Sequence, residues 1–159
     1  MNIRKAKHGD EKFLFNLRNE EPVRLASWNS DEVDLETHQK WFAGVLADPN
    51  RILYVIDDVV QHFGETSVGQ VRYDIRGEIA EVHVSVEHRF FGLGYASKGL
   101  RESAKMLFSE HPEVQRIIAH IKQDNVPSLK AFAKAGYKYG GIVPYKKIVC
   151  VEMTLARRT

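Results

Sequence analysis

A glycine-bearing turn between a predicted strand and a predicted helix is the segment of this chain best suited to bind a ligand. It reads Arg89-Phe90-Phe91-Gly92-Leu93-Gly94-Tyr95-Ala96 and follows the alternating apolar run 79–86. The N-terminus of a helix presents unpaired main-chain N–H groups and partial positive charge, which together favour a phosphate. Gly92 and Gly94 let the main chain approach an anion and adopt dihedral angles closed to other residues. The turn therefore predicts a phosphate or pyrophosphate site.

The strand before this turn carries polar side chains that could move protons. Alternate residues of a strand share a face, so Glu81, His83 and Ser85 lie together and the valines between them point the other way. Glu81 or His83 could accept a proton from a bound molecule, directly or through a water molecule. The alternative is that these residues form the solvated face of a half-covered strand.

The apolar pattern predicts the elements that position these residues. Strands are predicted at about 3–7, 52–56, 67–73, 80–86, 116–121, 138–142 and 147–155, and helices at about 13–19, 34–47, 95–111 and 125–136. Residues 22–33 are predicted to be irregular, with Trp28 as their one large apolar residue. The order β-α-α-β-β-β-α-β-α-β-β indicates a mixed α/β sheet covered by helices on both faces.

Length and composition exclude several classes of function. The 159 residues are most simply one domain, 1–159, and 43% apolar and 28% charged residues are ordinary globular values. A net charge of +2 is too small to predict binding to nucleic acid or an anionic membrane. The lone Cys150 cannot form an internal disulfide, and no His/Cys cluster predicts a metal. The N-terminal residues lack the apolar core of a signal peptide, so we expect a soluble cytoplasmic protein.

Two motifs in this order of elements resemble the GNAT family of N-acetyltransferases. The first family signature, Gln/Arg-x-x-Gly-x-Gly/Ala, is matched by Arg89 to Gly94. The second, Asn-x-x-Ser/Ala-x-x-x-Tyr-x-x-x-Gly-Phe/Tyr, is matched by Asn125, Ser128 and Gly136-Tyr137, with Phe132 at the position of the tyrosine. The resemblance covers essentially the whole chain. It implies the GNAT fold, a mixed and mostly antiparallel sheet of about seven strands with helices on both faces.

The resemblance implies acetyl-CoA as the acetyl donor and coenzyme A as the product. The pyrophosphate would rest on the main-chain N–H groups from Phe90 to Ala96. The pantetheine arm would lie between the fourth and fifth strands, which separate in this family, and would pair with the main chain of Val82 and Val84. Asn125 would hydrogen-bond the pantetheine and Phe132 would flank the thioester. A simple helix N-cap is the alternative role for Asn125, and the two roles can coexist.

The resemblance also indicates residues for the acetyl transfer itself. The position five residues before Asn125 often carries a base in related enzymes, and here it is His120. Imidazole has an unperturbed pKa of about 6.5. It is adequately matched to the amine of a sugar, the kind of acceptor that a narrower resemblance implies. Main-chain N–H groups near Val84 could polarise the thioester carbonyl. Phe132 has no proton to give, so we expect the reaction to proceed without a dedicated general acid.

A narrower resemblance concerns the acceptor. Leu17-Arg18-Asn19, Trp28-Asn29-Ser30 and His38-Gln39-Lys40-Trp41-Phe42 look like segments of acetyltransferases from bacterial surface-sugar pathways. That group acetylates the 4-amino group of nucleotide-linked amino sugars, for example in pseudaminic acid biosynthesis. Four residues of the N-terminal third are expected to contact the acceptor: Arg18, Arg24, Trp28 and Asn29.

Several alternatives stay open at this point. The chain could acetylate a protein N-terminus or another small amine, or it could bind acyl-CoA without catalysis. Arg18 could simply cap its helix, and Trp41 could pack in the core. The sequence is compatible with a monomer or a homodimer.

Overall fold

A computed structural model describes residues 1–158, which form one seven-stranded sheet with helices on both faces. The order of strands is β1-β2-β3-β4-β5-β7-β6, and only the β4–β5 pair is parallel. The predicted fold class is confirmed. The elements are β1 Asn2–Lys5, α1 Glu11–Asn19, α2 Glu21–Ala26, α3 Leu35–Ala47, β2 Arg51–Val60, β3 Gly64–Arg76, β4 Ile79–Val86, α4 Tyr95–Glu110, β5 Arg116–Lys122, α5 Val126–Lys134, β6 Lys138–Tyr145 and β7 Ile148–Ala156.

The two faces of the sheet are covered differently. On one face α4 packs an apolar stripe, which includes Leu100, Ala104 and Leu107, onto the larger core. On the other face α1 and α3 contribute Leu14 and Phe42 to a small separate core. Between residues 1 and 158, no helix combines the length and the hydropathy that a membrane crossing requires. The smaller core leaves room for polar side chains beneath α1–α3.

Helix α2 corrects the prediction that residues 22–33 are irregular. The helix spans Glu21–Ala26, with Pro22 in its first turn, where the missing N–H is not needed. Only Val23 of this helix is buried. A helix of six residues with one buried side chain has no apolar repeat that would reveal it in the sequence. Pro22, which favours the first turn of a helix, was the one signal of α2.

Strands β4 and β5 separate after three paired residues. Their parallel register covers Ile79↔Arg116, Ala80↔Ile117 and Glu81↔Ile118, and pairing stops there. Strand β4 continues to pair with β3 as far as Val86, and β5 continues to pair with β7 as far as Lys122. The sheet therefore splits into a wedge, called the fork below, whose closed end lies at Glu81.

The main chain of β4 presents alternate residues to the fork. The Glu87 N–H donates to Val68 O at 2.8 Å across β3–β4. Hydrogen-bonded pairs recur at every second position of an antiparallel ladder, so His83 and Ser85 direct their main-chain groups towards β3. The main-chain groups of Val82 and Val84 consequently point into the fork.

A close approach of β3 to β4 requires glycine at position 69. A Cβ there would lie 2.6 Å from Ser85 O and 3.3 Å from Val86 Cα. Because these are main-chain atoms that cannot rotate away, we expect Gly69→Ala to lower the free energy of unfolding by about 3 kcal/mol. Urea unfolding measures this as a lower midpoint with an unchanged slope.

The matched control is Gly44→Ala in α3, where a Cβ meets nothing within 4 Å. Alanine in an exposed helix interior stabilises by up to about 1 kcal/mol relative to glycine. The two glycine-to-alanine substitutions should therefore change the free energy of unfolding in opposite directions. A Gly69→Ala variant as stable as the unmodified chain would contradict the contact.

Candidate active site

The glycine turn lies where β4 leaves the fork and α4 begins. A single 3₁₀ turn at His88–Phe90 is followed by Gly92 and Gly94, with φ of +75° and +84°. Gly94 is the N-cap of α4, and its carbonyl accepts the N–H of Lys98 at 3.1 Å. The N–H groups of Tyr95 and Ala96 precede this first helical bond and have no partner in the helix. This arrangement suits an anion.

The cradle is shorter than the sequence predicts. The N–H of Phe90 already donates to Glu87 O at 2.9 Å, and that of Phe91 to His88 O at 3.2 Å. Phe90 is also a core residue, 4% exposed. The 3₁₀ turn thus uses the N–H groups of Phe90 and Phe91, which are less available to a pyrophosphate than the motif alone predicts. The main chain of residues 92–96 remains as the candidate anion site.

Side chains around the turn hold it in place. Tyr95 donates its hydroxyl to Asp58 at 2.8 Å, while the side chain of Leu93 is exposed. Arg89 Nε donates to Glu87 Oε1 at 2.7 Å, so its guanidinium is engaged within the turn. These contacts leave the main chain of residues 92–96 as the open part of the turn.

Three residues of metal-ligand type meet beneath the turn. Glu20, Glu87 and His88 place one ligand atom each within 4.8 Å of one another. Glu20 Oε1, however, accepts both the N–H and Nδ1 of His88 at 2.9 Å, and Glu87 pairs with Arg89. The group is explained as an ion-pair network that ties the end of α1 to the turn.

The far wall of the fork is built by the start of α5. Asn125 Oδ1 accepts the Ser128 N–H at 3.3 Å, so the helix-cap role of Asn125 is observed. Its side-chain NH₂ group makes no hydrogen bond within residues 1–158 and remains available to a ligand. Phe132 is 3% exposed and packs edge-on to Tyr137, with ring centroids 4.9 Å apart. Phe132 is therefore mainly a core residue.

The three predicted proton-transfer residues belong to one network on the sheet face opposite α4, called the polar wall below. Glu81 accepts a hydrogen bond from the Tyr145 hydroxyl and lies 3.3 Å from His83 Nε2. The ring of Tyr145 stacks on His120 at 4.2 Å, and His120 Nε2 lies 3.3 Å from Glu152. The sequence does not show that Tyr145 and Glu152 lie beside these residues, because β6 and β7 bring them to β4 and β5 from distant parts of the chain.

Charge in the polar wall is concentrated on Glu81. His83 and the Tyr145 hydroxyl lower the pKa of Glu81 to about 2, against the opposing effect of burial. Burial and the neighbouring Glu81 raise the pKa of Tyr145. A carboxylate that holds protons so weakly is a poor general base, and a phenol that holds its proton so tightly is a poor general acid. Neither Glu81 nor Tyr145 is therefore well suited to exchange a proton near neutral pH.

This lowered pKa makes the stabilisation from Glu81 depend on pH in one direction. The pKa falls from an ordinary 4.5 to about 2, so the stabilisation is present above 4.5 and is lost as the pH falls towards 2. A shift of this size corresponds to about 3 kcal/mol at neutral pH. We expect Glu81→Gln to lose stability at neutral pH and to have a flatter profile between about pH 5 and about pH 2.

Urea midpoints across this pH range measure the effect. Glu78→Gln, in the exposed β3–β4 turn, controls for the loss of one negative charge. Parallel stability profiles for the unmodified chain and Glu81→Gln would contradict the ion-pair network.

A cavity of about 210 Å³ lies beneath α1–α3, beside β3 and β4, and is called the acceptor cavity below. It is lined by Leu14, Leu17, Arg18, Val23, Val33, Thr37, His38, Trp41, Gln70, Arg72 and Ser85. Of the four predicted acceptor contacts only Arg18 lines it. Arg72, Gln70 and Ser85 were not predicted as acceptor contacts, although alternation along β3 and β4 places polar residues on this face.

The other three predicted acceptor contacts support the loop after α2. Arg24 donates from Nε to Asn19 O and from Nη1 to Ser30 O, both at 3.1 Å. Trp28 packs on Tyr145 with ring centroids 4.9 Å apart, and exposed Asn29 accepts the Asp31 N–H at 3.0 Å. All three side chains lie outside the cavity, and turns of the main chain use the polar groups of Arg24 and Asn29.

The family of this chain follows from comparison with known sequences. The model of the acetyltransferase (GNAT) domain matches residues 1–138, and the chain belongs to this family. Membership confirms the predicted enzyme class, an acetyl-CoA-dependent N-acetyltransferase. A curated Bacillus subtilis (strain 168) protein, provisionally named phosphinothricin acetyltransferase YwnH, is 27% identical over 150 residues, which are 91% of this chain and 88% of that protein.

Solved structures share the fold at lower sequence identity. Aminoglycoside acetyltransferase AAC(6')-Ib, solved with paromomycin and acetyl-CoA, matches with a TM-score of 0.80 and 19% identity, covering 98% of this chain and 93% of that one. Spermidine N-acetyltransferase from Vibrio cholerae, solved with CoA and spermine, matches with a TM-score of 0.84 and 16% identity, covering 98% and 94%.

Proposed function

We propose that this chain transfers the acetyl group of acetyl-CoA to the primary amine of a small molecule held in the acceptor cavity. The geometry of the fork is the observation that supports this proposal. It offers an open main-chain edge on β4, a glycine turn at its mouth and a polar wall on one side. Donor and acceptor would thus meet at β4 from opposite faces of the sheet.

The donor would be held mostly by the main chain. Its pyrophosphate would lie on the N–H groups of residues 92–96, at the start of α4. Its pantetheine arm would pair with Val82 and Val84 in the fork and accept a hydrogen bond from the Asn125 side chain. The relatives solved with acetyl-CoA or CoA support this choice of donor.

The transfer itself needs one proton acceptor. The amine nitrogen attacks the thioester carbonyl, the new N–C bond forms, and the C–S bond breaks to release the coenzyme A thiolate. Main-chain N–H near Val84 polarises the carbonyl oxygen. With a thiol pKa of about 8.5, the thiolate leaves without a strong acid and takes its proton from water.

His83 is the proposed acceptor of the amine proton. It follows Glu81 on the same face of β4 and lies opposite Arg72 in the β3–β4 register, beside Ser85. Both Arg72 and Ser85 line the acceptor cavity. His120, the residue that the family resemblance indicates, is covered by the stacked ring of Tyr145, and its Nδ1 is buried. We therefore place His120 in support of Tyr145.

The narrower acceptor that the sequence resemblance indicates, the 4-amino group of a nucleotide-linked amino-deoxy sugar, stays a prediction. A volume of about 210 Å³ is smaller than the about 300–1,000 Å³ of sites that enclose a drug-sized ligand. The sugar ring would be enclosed with its phosphates at the wall of the cavity, and the nucleoside would lie outside. A small amine of amino-acid size is the second candidate, which the same volume favours.

Thiol release from acetyl-CoA across a panel of amines tests the proposal. The panel contains nucleotide amino sugars, phosphinothricin, spermidine, kanamycin and a peptide with a free N-terminus. We expect release with at least one small amine and an acetylated nitrogen by mass spectrometry. Tight binding of coenzyme A without release from any amine would instead identify a non-catalytic acyl-CoA-binding module. Release with the peptide alone would identify a protein N-terminal acetyltransferase.

A further inference from the structure

Two arginines line the acceptor cavity without a full set of partners. Arg18, on α1, donates from Nη2 to Asn29 O at 2.8 Å, while its Nη1 is buried without a partner. Arg72, on β3, has its Nε 3.4 Å from Asp74 Oδ2, and this Nε is buried without an aligned hydrogen bond. None of the eleven lining residues is acidic.

The charges around the cavity do not balance. Asp74 is shared between Arg72 and Arg51, whose Nε lies 3.3 Å from Oδ1. Arg18 forms no ion pair within residues 1–158. Glu81 also acts electrostatically on Arg72, so the positive charge at the cavity that lacks an ion-pair partner is that of Arg18. The Trp41 ring, 5.5 Å from Arg72 Cζ, supports the guanidinium in place.

Further polar atoms without partners are concentrated in the same cavity. Gln70 Oε1 and both ring nitrogens of His38 are buried and make no hydrogen bond within the described residues. Burial lowers the pKa of His38, so its ring is neutral near pH 7. Buried polar atoms are normally hydrogen-bonded, and four such side chains lining one cavity therefore indicate a polar ligand that completes them.

We infer that the acceptor is an amine that also carries an anionic group, a carboxylate, phosphinate or phosphate, bound by Arg18 and Arg72. This inference rests on the proposed function, because it assigns the substrate class of the same cavity. Guanidinium groups match oxyanions in geometry and form strong charge-assisted hydrogen bonds with them. An anion held at Arg72 would place the amine of the same molecule near His83, the residue opposite in the register.

The same charges disfavour polycationic acceptors. A polyamine or an aminoglycoside would bring additional positive charge beside two guanidinium groups in a partly desolvated site.

The anion itself has two chemical sources. It is either the acid group of a small amino acid or analogue, or the diphosphate of a nucleotide-linked amino sugar.

The decisive experiment compares an acidic amine with its neutral analogue. We expect phosphinothricin or glutamate to have at least a tenfold higher kcat/KM than the corresponding methyl esters, if the source is amino-acid-like. We expect Arg18→Gln and Arg72→Gln to raise KM for the acid about 10- to 100-fold and KM for the ester less than about threefold. Arg101→Gln removes an arginine of α4 that donates to Lys134 O at 2.8 Å and should change neither value.

Inhibition distinguishes the two sources of the anion. Uridine diphosphate should compete with the amine if a nucleotide sugar is the acceptor, and glutarate should compete if an amino-acid-like molecule is. Faster turnover of esters, spermidine or kanamycin than of any anionic amine would overturn the inference. Equal effects of the arginine variants on acid and ester would overturn it as well.

A binding measurement separates this inference from the proposed function. Calorimetry of phosphinothricin and glutarate with the coenzyme A complex needs no turnover, and the Arg18→Gln variant covers the case in which Arg72→Gln does not fold. If the unmodified chain binds these anions, the arginine variants do not, and no amine causes thiol release, the anion site stands and the proposed function is overturned. Absence of anion binding together with release from neutral amines would overturn only the anion site.

Discussion

Replacing His83 by glutamine is expected to lower kcat at least 100-fold while the Kd for coenzyme A stays within about twofold. General-base catalysis contributes about 10²- to 10⁴-fold, and glutamine keeps a polar side chain of similar reach without a basic nitrogen. The histidine lies 3.3 Å from Glu81, and no part of it borders the glycine turn. Steady-state kinetics with a saturating amine, together with calorimetry for coenzyme A, measures the two quantities.

The matched control is His120→Gln in the same polar wall. The ring of His120 stacks on the ring of Tyr145 at 4.2 Å and holds it in place. We therefore expect kcat to fall by no more than about tenfold in this variant. A larger loss in His120→Gln would assign the base to His120, as the family resemblance indicates, and would contradict our placement.

Replacing Gly94 by valine is expected to raise the Kd for coenzyme A by about 10- to 100-fold. Gly94 has a φ of +84°, which costs an L-residue about 1–2 kcal/mol and a β-branched one more. Relief of this strain would shift the first turn of α4 and turn the N–H groups of residues 95 and 96 away from the anion. Affinity for pantetheine, which lacks the pyrophosphate, should change little. Calorimetry with both ligands measures the difference.

Gly77→Val is the control for backbone strain. Gly77 has a φ of +64° in the β3–β4 turn, and a Cβ there meets nothing within 4 Å. It imposes a similar strain at the opposite end of β4 from the glycine turn, so it should lower stability without changing the Kd for coenzyme A. If both variants lost affinity equally, or if Gly94→Val bound pantetheine as weakly as coenzyme A, the pyrophosphate site would not lie at this turn.

Local patterns predicted the strand and the helix on either side of the glycine turn well. Alternation along β4 placed the valines of the fork and the polar residues of the wall on opposite faces, and the structure has this arrangement. Two local details were wrong. The 3₁₀ turn at His88–Phe90 uses main-chain N–H groups that the motif alone leaves free, and α2 is too short to show a helical repeat.

The acceptor side could not be predicted to the same depth. Of the predicted acceptor contacts, Arg18 lines the cavity, whereas Arg24, Trp28 and Asn29 lie outside it. Arg72 was not predicted as a contact residue, and it lines the cavity only because α1 and α3 close over β3. The ring of Tyr145 covers His120 only because β6 pairs with β7 and β7 with β5.

The sequence by itself determined the glycine turn, the strand that feeds it and the family of the protein. These features are local, since the dihedral angles of two glycines, the start of one helix and the alternation of one strand depend on neighbouring residues. Only the tertiary structure decided that Arg18 and Arg72 line one cavity and that the ring of Tyr145 covers His120. Those contacts join residues far apart in the chain, where burial and charge are set by packing that no local pattern records.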